Sequence, residues 1–188
     1  MTDKIIYSQN VIDFVAVSVE FCSLLENEKT EERNKWITKI LKILPLVYIK
    51  ATLLPATTEN NEEPPQTFVK EEDYNSIRYS VSEIMDEEDV YLDFYVEDMK
   101  YSDRPVSSFV SEDIADIYQD LRNFVSIYQY KLENQMNDAI HICNQNFKSY
   151  WGQKLVNVLR PLHALIYKDN EEDYDSYESG LNMEDLWD

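Results

Sequence analysis

The 188 residues carry 37 acids against 17 bases, a formal net charge of −20 at pH 7, with 44% hydrophobic residues, two glycines and two cysteines. The length and apolar content suit one domain with a real core, and two glycines argue against both a turn-rich all-β fold and a glycine-rich phosphate loop. Acidity on this scale repels nucleic acid phosphates and anionic membranes, so neither is expected as a partner.

The charge is unevenly distributed. Residues 1–58 hold 7 acids and 7 bases, 59–120 hold 19 and 4, 121–168 hold 2 and 6, and 169–188 hold 9 acids and no base. We read residues 1–168 as a single helical domain and 169–188 as an acidic C-terminal tail.

The opening stretch MTDKIIYSQNVIDF has no long apolar run behind a basic start, so no signal peptide is read and a cytoplasmic location is expected. From Ser8 to about Asn27, Val11, Phe14/Val15, Val19, Cys22 and Leu25 recur at helical spacing. Ile12, Ala16, Val17 and Phe21 widen that face, which predicts a helix buried on most sides. Thr30 is expected to cap the next helix, with Glu31 and Glu32 in its first turn. Its stripe is Ile37, Ile40/Leu41, Leu44, Val47/Tyr48, Ala51 and Leu54, and Pro45 is expected to kink or split it. Lys39, Lys42, Pro45 and Lys50 interrupt Ile37–Leu54, so it does not read as a membrane span. No acid occurs from Arg33 to Thr58. There Arg33, Lys35, Lys39 and Lys42 form a basic stretch, predicted to face the protein's own acidic segments. A small anionic ligand or a partner is the functional alternative.

Residues Pro55–Gln66 read as a polar, proline-rich loop, and Lys70 to Asp86 as a helix through Tyr74, Ile77, Val81 and Ile84/Met85. Glu87–Asp98 supports two readings: Val90, Leu92, Phe94 and Val96 alternate as in a strand, whereas Tyr91 with Phe94/Tyr95 suits a short helix. With no second clear strand to pair it, a short helix or extended linker is expected, followed by a loop over Asp98–Val110. Ser111 is expected to cap a strong helix reaching about Lys131, with Glu112 and Asp113 in its first turn. Ile114, Ile117/Tyr118, Leu121, Phe124/Val125 and Tyr128 form its stripe. A short hinge near Glu133–Asn134 then predicts antiparallel packing against a long helix, Asn134–Lys168. That helix carries Met136, Ile140, Cys143, Phe147, Tyr150/Trp151, Lys154/Leu155, Val158, Leu162 and Leu165/Ile166 at helical spacing. Gly152 in its interior costs roughly 1 kcal/mol, and Pro161 predicts a kink near Asn157–Arg160. In the tail, Asn182 is a candidate cap for one helical turn with Leu181, Leu186 and Trp187 as its apolar face. That face either docks on the bundle or binds a partner.

Few residues offer chemistry. His141 lies in Asp138-x-x-His141, the spacing of helical di-metal sites, but no second copy supplies the remaining ligands. It and His163 read as surface or hydrogen-bonded histidines. Cys22 and Cys143 fall on apolar faces and read as reduced, buried thiols. No G-x-S-x-G elbow, HExxH or paired-cysteine motif occurs. Asp113, Asp116 and Asp120 lie within a narrow arc of one helix and are the candidates for a metal or a partner. The partners they need for Mg²⁺ are poorly placed: Glu28-x-x-Glu31 straddles a loop and Glu83-x-x-Asp86 falls at a helix end. A solvated or ion-paired acidic face is the first reading, and no cofactor is expected.

Two blocks, ADIYQDLRNF (Ala115–Phe124) and NDAIHICNQNFKSYWGQKLVNVLRPLH (Asn137–His163), resemble an uncharacterised domain-of-unknown-function family of short acidic bacterial proteins. The likeness covers the C-terminal half and, more weakly, VIDFVAVSVEFC in the first helix, and Pro161 departs from its pattern. The resemblance implies an all-helical fold and a bacterial cytoplasmic setting, and brings no activity and no catalytic residues.

The expected fold is all-α, an irregular antiparallel bundle of five to seven helices. The expected function is a non-enzymatic acidic interaction module for a basic protein partner. The candidate partner-binding residues are Asp113, Asp116, Asp120, Arg33, Lys35, Lys39, Lys42, Leu186 and Trp187. The alternative is a metal-dependent helical hydrolase using the three aspartates.

Overall fold

A computed structural model describes residues 3–27, 32–93 and 106–168. The expectations for Thr30, Glu31, Phe94–Val96 and the tail, including Asn182, Leu186 and Trp187, lie outside these residues. The helices are α1 (Asp3–Ile6), α2 (Gln9–Asn27), α3 (Arg33–Thr52), α4 (Glu71–Met85), α5 (Val110–Gln129), α6 (Glu133–Asn146) and α7 (Gly152–Tyr167). A two-stranded antiparallel pair, β1 (Val90–Asp93) and β2 (Val106–Phe109), precedes α5. The architecture is the expected all-helical bundle with this one small addition. α5 is its hub, packing against α2, α4, α6 and α7, while α3 packs against α2 and α7.

The apolar stripes explain the packing. Ile114, Ile117, Tyr118, Leu121, Phe124 and Val125 of α5 are all buried, and Phe124 meets Phe14 of α2 with ring centroids 5.1 Å apart. Trp36 of α3 and Trp151 below α6 are the largest fully buried side chains. Each such burial is worth about 1.5–3 kcal/mol. The α5–α6 turn is closed by Lys131 at φ 56°, with Leu132 N–H on the Ile127 carbonyl and Lys131 N–H on the Tyr128 carbonyl, both 3.0 Å. This is the bonding of a Schellman cap, with lysine where glycine usually stands.

Several expectations need correction. Ser111 does not cap α5. It sits inside the first turn, where its N–H and hydroxyl both donate to buried Asp89 at 2.8 Å. The strand alternation at Val90 was the true signal: Val90–Asp93 pairs with Val106–Phe109, a partner hidden in a serine-rich stretch read as loop. α2 is buried on one side only, since Ile12 and Val19 are 41% and 45% exposed. Neither proline divides its helix. A proline removes a single donor, and buried residues on both sides hold the helix in place: Leu44 and Val47 around Pro45, Val158 and Leu162 around Pro161. The irregularity in the long helix lies earlier, in a π turn at Phe147–Trp151. A Cβ on Gly152 would fall 2.2 Å from the Phe147 carbonyl oxygen and 2.8 Å from its ring. Gly152 is therefore a requirement of the π turn rather than a weakness in the helix.

The polar loop ahead of α4 is pinned across α6 as a strap. Asp138 accepts from the backbone N–H groups of Asn60 (2.7 Å) and Asn61 (3.0 Å) and from the Asn61 amide (2.5 Å), while Asn137 donates to the Thr58 carbonyl at 2.7 Å. His141 Nδ1 lies 2.7 Å from the Thr57 carbonyl. Further along, the Asn123 side-chain oxygen takes the N–H groups of Phe68 (2.7 Å) and Val69 (2.9 Å).

Candidate functional site

The three aspartates of the α5 flank converge with side chains from five other elements. Asp113, Asp116 and Asp120 stand three and four residues apart, so the helical repeat stacks them along one edge. Lys154, near the start of α7, places its ammonium between the first two, 2.7 Å from Asp113 Oδ1 and 2.8 Å from Asp116 Oδ2. Tyr91 of β1 donates its hydroxyl to Asp113 Oδ2, and Tyr74 of α4 donates to Asp116 Oδ1 at 3.0 Å. Asn146, the last residue of α6, donates to Asp120 Oδ1 at 2.5 Å. The Tyr150 ring lies 5.2 Å from the Lys154 ammonium.

Burial sets the electrostatics. It pushes the Asp113 carboxyl up, against the hydrogen bonds from Lys154 and Tyr91, which pull it down. It also pushes Asp120 up, opposed by Asn146 and reinforced by the charge of Asp116. Burial works against the Lys154 ammonium, but the two carboxylates overcome it and hold the group firmly protonated. Tyr150 is pushed up to about 12 by burial and by its hydrogen bond to Asp116, and Tyr74 is raised by burial and by Asp116. Tyr74 and Tyr150 are therefore neutral at physiological pH.

This arrangement stabilises charge, and its central place is already taken. The Lys154 ammonium occupies the point between Asp113 and Asp116 where a divalent cation would have to sit. Among the described residues, no group of three or more His, Cys, Asp or Glu is disposed to hold a metal ion. Asp138 and His141, the other pair with metal-site spacing, are both turned to the strap.

The basic candidates do not gather at the aspartates. Arg33 Nη1 donates to the Met85 carbonyl at 3.3 Å, and Lys35 pairs with Glu32 at 3.0 Å on open surface. Lys39 and Lys42 line a groove between α2 and α3. Leu186 and Trp187 lie outside the described residues. The sequence reading missed Lys154, Tyr74, Tyr91, Tyr150 and Asn146 as companions of the aspartates. One signal was available: Lys154 stands in the apolar stripe of its helix, where a lysine needs a buried partner. The tyrosines come from separate elements, and no spacing rule links them.

Two clefts on another face share the Arg122–Glu26 ion pair, 3.1 Å, as their common wall. Tyr118 donates to Glu26 at 2.9 Å, so the polar groups of that wall are satisfied within the protein.

Fold and site together define an all-helical domain in which the acidic flank of a hub helix is met by a lysine from α7. The chain belongs to the DUF5063 family, described as a domain of unknown function, whose model matches residues 5–168. Among solved structures it is similar to protein BF1032 from Bacteroides fragilis, with a TM-score of 0.77 and 40% sequence identity, over 87% of this chain and 96% of that one. None of the curated proteins matches it. No helix among the described residues is long and apolar enough to cross a membrane.

Proposed function

We propose that the protein is a non-enzymatic interaction module of the bacterial cytoplasm that presents an acidic surface, centred on α4, to a basic protein partner. The observation that carries this reading is a division among the carboxylates. Those of the α5 flank are consumed inside the fold by Lys154, Tyr74, Tyr91 and Asn146. Glu71, Glu72, Glu83, Glu87, Glu88 and Glu112, along α4 and its flanks, face solvent. Arg78 reaches Glu112 only at 3.8 Å, a weak surface contact. A large surface of one sign speeds encounter with a partner of opposite sign and loses that effect in salt.

The test is capture of a partner from host lysate at low salt by the full chain and by a Glu83→Lys/Glu87→Lys/Glu88→Lys variant. A stoichiometric basic protein retained by the first and lost by the second, or lost at high salt, supports the reading. No captured protein at low salt, or capture indifferent to the charge reversal, sinks it.

A further inference from the structure

The exposed flank of α3 changes character along its length. Lys35, Lys39 and Lys42 stand on its N-terminal half, and Leu46, Ile49 and Leu53 follow on the same side, 49%, 53% and 46% exposed. Alongside runs a groove of about 430 Å³ between α2 and α3, with Leu24, Ile43 and Leu46 among its apolar lining, Lys39 and Lys42 on the α3 wall and Glu20 on the α2 wall. Lys42 makes no ion pair among the described residues. A surface that joins cations to an apolar trough fits a segment that joins carboxylates to large apolar side chains.

The chain itself carries such a segment. Residues 169–188 hold nine acids and no base, and end in LNMEDLWD, where Leu181, Met183, Leu186 and Trp187 alternate with Glu184, Asp185 and Asp188. The topology delivers it to the right end of the domain. Phe147, just before α7, packs edge-on against Tyr48 near the C-terminal end of α3, ring centroids 5.2 Å apart. α7 then packs along α3, so it runs back toward the α3 N-terminus and the chain leaves it at the lysine half. Twenty residues reach up to about 66 Å when extended, and the whole of α3 is only about 30 Å long. Reach therefore does not limit the contact.

We propose that the groove between α2 and α3 is the seat of the chain's own C-terminal segment, with the Leu186–Trp187 end on the apolar trough and its acids against the α3 lysines. The contact is intramolecular, and it does not use the acidic α4 surface. It assigns a common role to the basic flank and the tail, which are otherwise two separate candidates for outside partners.

The experiment uses the full chain with Asp188→Cys carrying a nitroxide spin label. The native thiols, Cys22 and Cys143, are 1% and 3% exposed, and burial raises both above the ordinary thiol range, so the label goes to the new cysteine. The expected result is loss of the amide signals of Ser23, Asn27, Ile43 and Leu46, with recovery in a Trp187→Ala variant and in a Lys42→Glu/Leu46→Glu variant. Both groove substitutions fall on exposed positions, so the fold is retained. Loss spread over all faces, or none beyond the tail itself, overturns the proposal. So does loss seen only on an unlabelled ¹⁵N copy mixed with the labelled one, which would assign the contact to a second copy.

Discussion

Asp138 of the strap and Asp113 of the α5 cluster expose little surface, 2% and 4%, but Asp113 lies deeper in the protein, and their carboxyls move in opposite directions. Burial works against the charge of both. At Asp138 it is outweighed by the Asn60 backbone N–H, the Asn137 and Asn61 side chains and the Asn61 backbone N–H, and the group is held below its ordinary range. At Asp113 burial wins, because the carboxyl lies deeper, its ammonium is shared with Asp116, and the charge of Asp116 pushes the same way. Burial alone does not decide the state of a carboxyl. What decides it is how deeply the group lies, weighed against how many donors the fold dedicates to it and whether a second carboxylate competes for them. The strap site is built from neutral dipoles that belong to Asp138, whereas the α5 site depends on one cation serving two acids.

The sharpest way to break this comparison is to remove what holds each side. Trp151 is fully buried in the π turn that precedes Lys154. Trp151→Ala should cost about 3–5 kcal/mol through the cavity it leaves, and an unchanged denaturation midpoint would show that this side chain is not part of the core. Lys154→Met strands two carboxylates at once and should cost about 3 kcal/mol. The double change Lys154→Met/Asp113→Asn should recover part of that loss, and failure to recover would mean the lysine acts through packing. Asp138→Ala leaves two backbone N–H groups of the strap without acceptors, a loss of about 1–3 kcal/mol. Hydrogen exchange should then accelerate at Asn60 and Asn61 before it does in α5.

Acid gives the smallest effect, but it separates the two sites by sign. The depressed Asp138 contributes stability that is complete above the ordinary value of 3.8 and is lost as pH falls through its folded value. The raised Asp113 and Asp120 do the reverse. Their ionised forms tax the fold above their folded values, and that cost is relieved as pH falls toward 3.8. A descending pH series should show no local loosening at α5, then rapid exchange at Asn60 and Asn61 below about pH 4. Simultaneous loosening at both would mean that the strap and the cluster open as one unit.

The helices were legible because their stripes are long and regular: the α5 stripe from Ile114 to Val125 is buried residue for residue. Of the two short strands, only the first showed its alternation, at Val90 and Leu92; Val106–Phe109 carries two serines, and its identity comes from pairing with Val90–Asp93 rather than from its own pattern. The aspartates of the site were legible as a cluster, since they share one helix face. Their environment was not, because Tyr74, Tyr91 and Asn146 reach them from positions 22 to 42 residues away. Pro161, the position that predicts a kink near Asn157–Arg160, stands inside an unbroken α7. The π turn depends on the Phe147 carbonyl and on the absence of a Cβ at Gly152, which residue type alone does not reveal.

The π turn also acts as a phase adjuster between two helices that would otherwise share one register. A residue inserted into an α-helix rotates everything beyond it by about 100°. Because Lys154 follows the insertion and Asn146 precedes it, the turn sets the angle at which the two meet the same acidic edge from successive helices. Shortening the chain by one residue at exposed Ser149 would leave both helices intact and aim the lysine elsewhere. In this domain, a count of residues between two side chains is as much a determinant of the site as the side chains themselves.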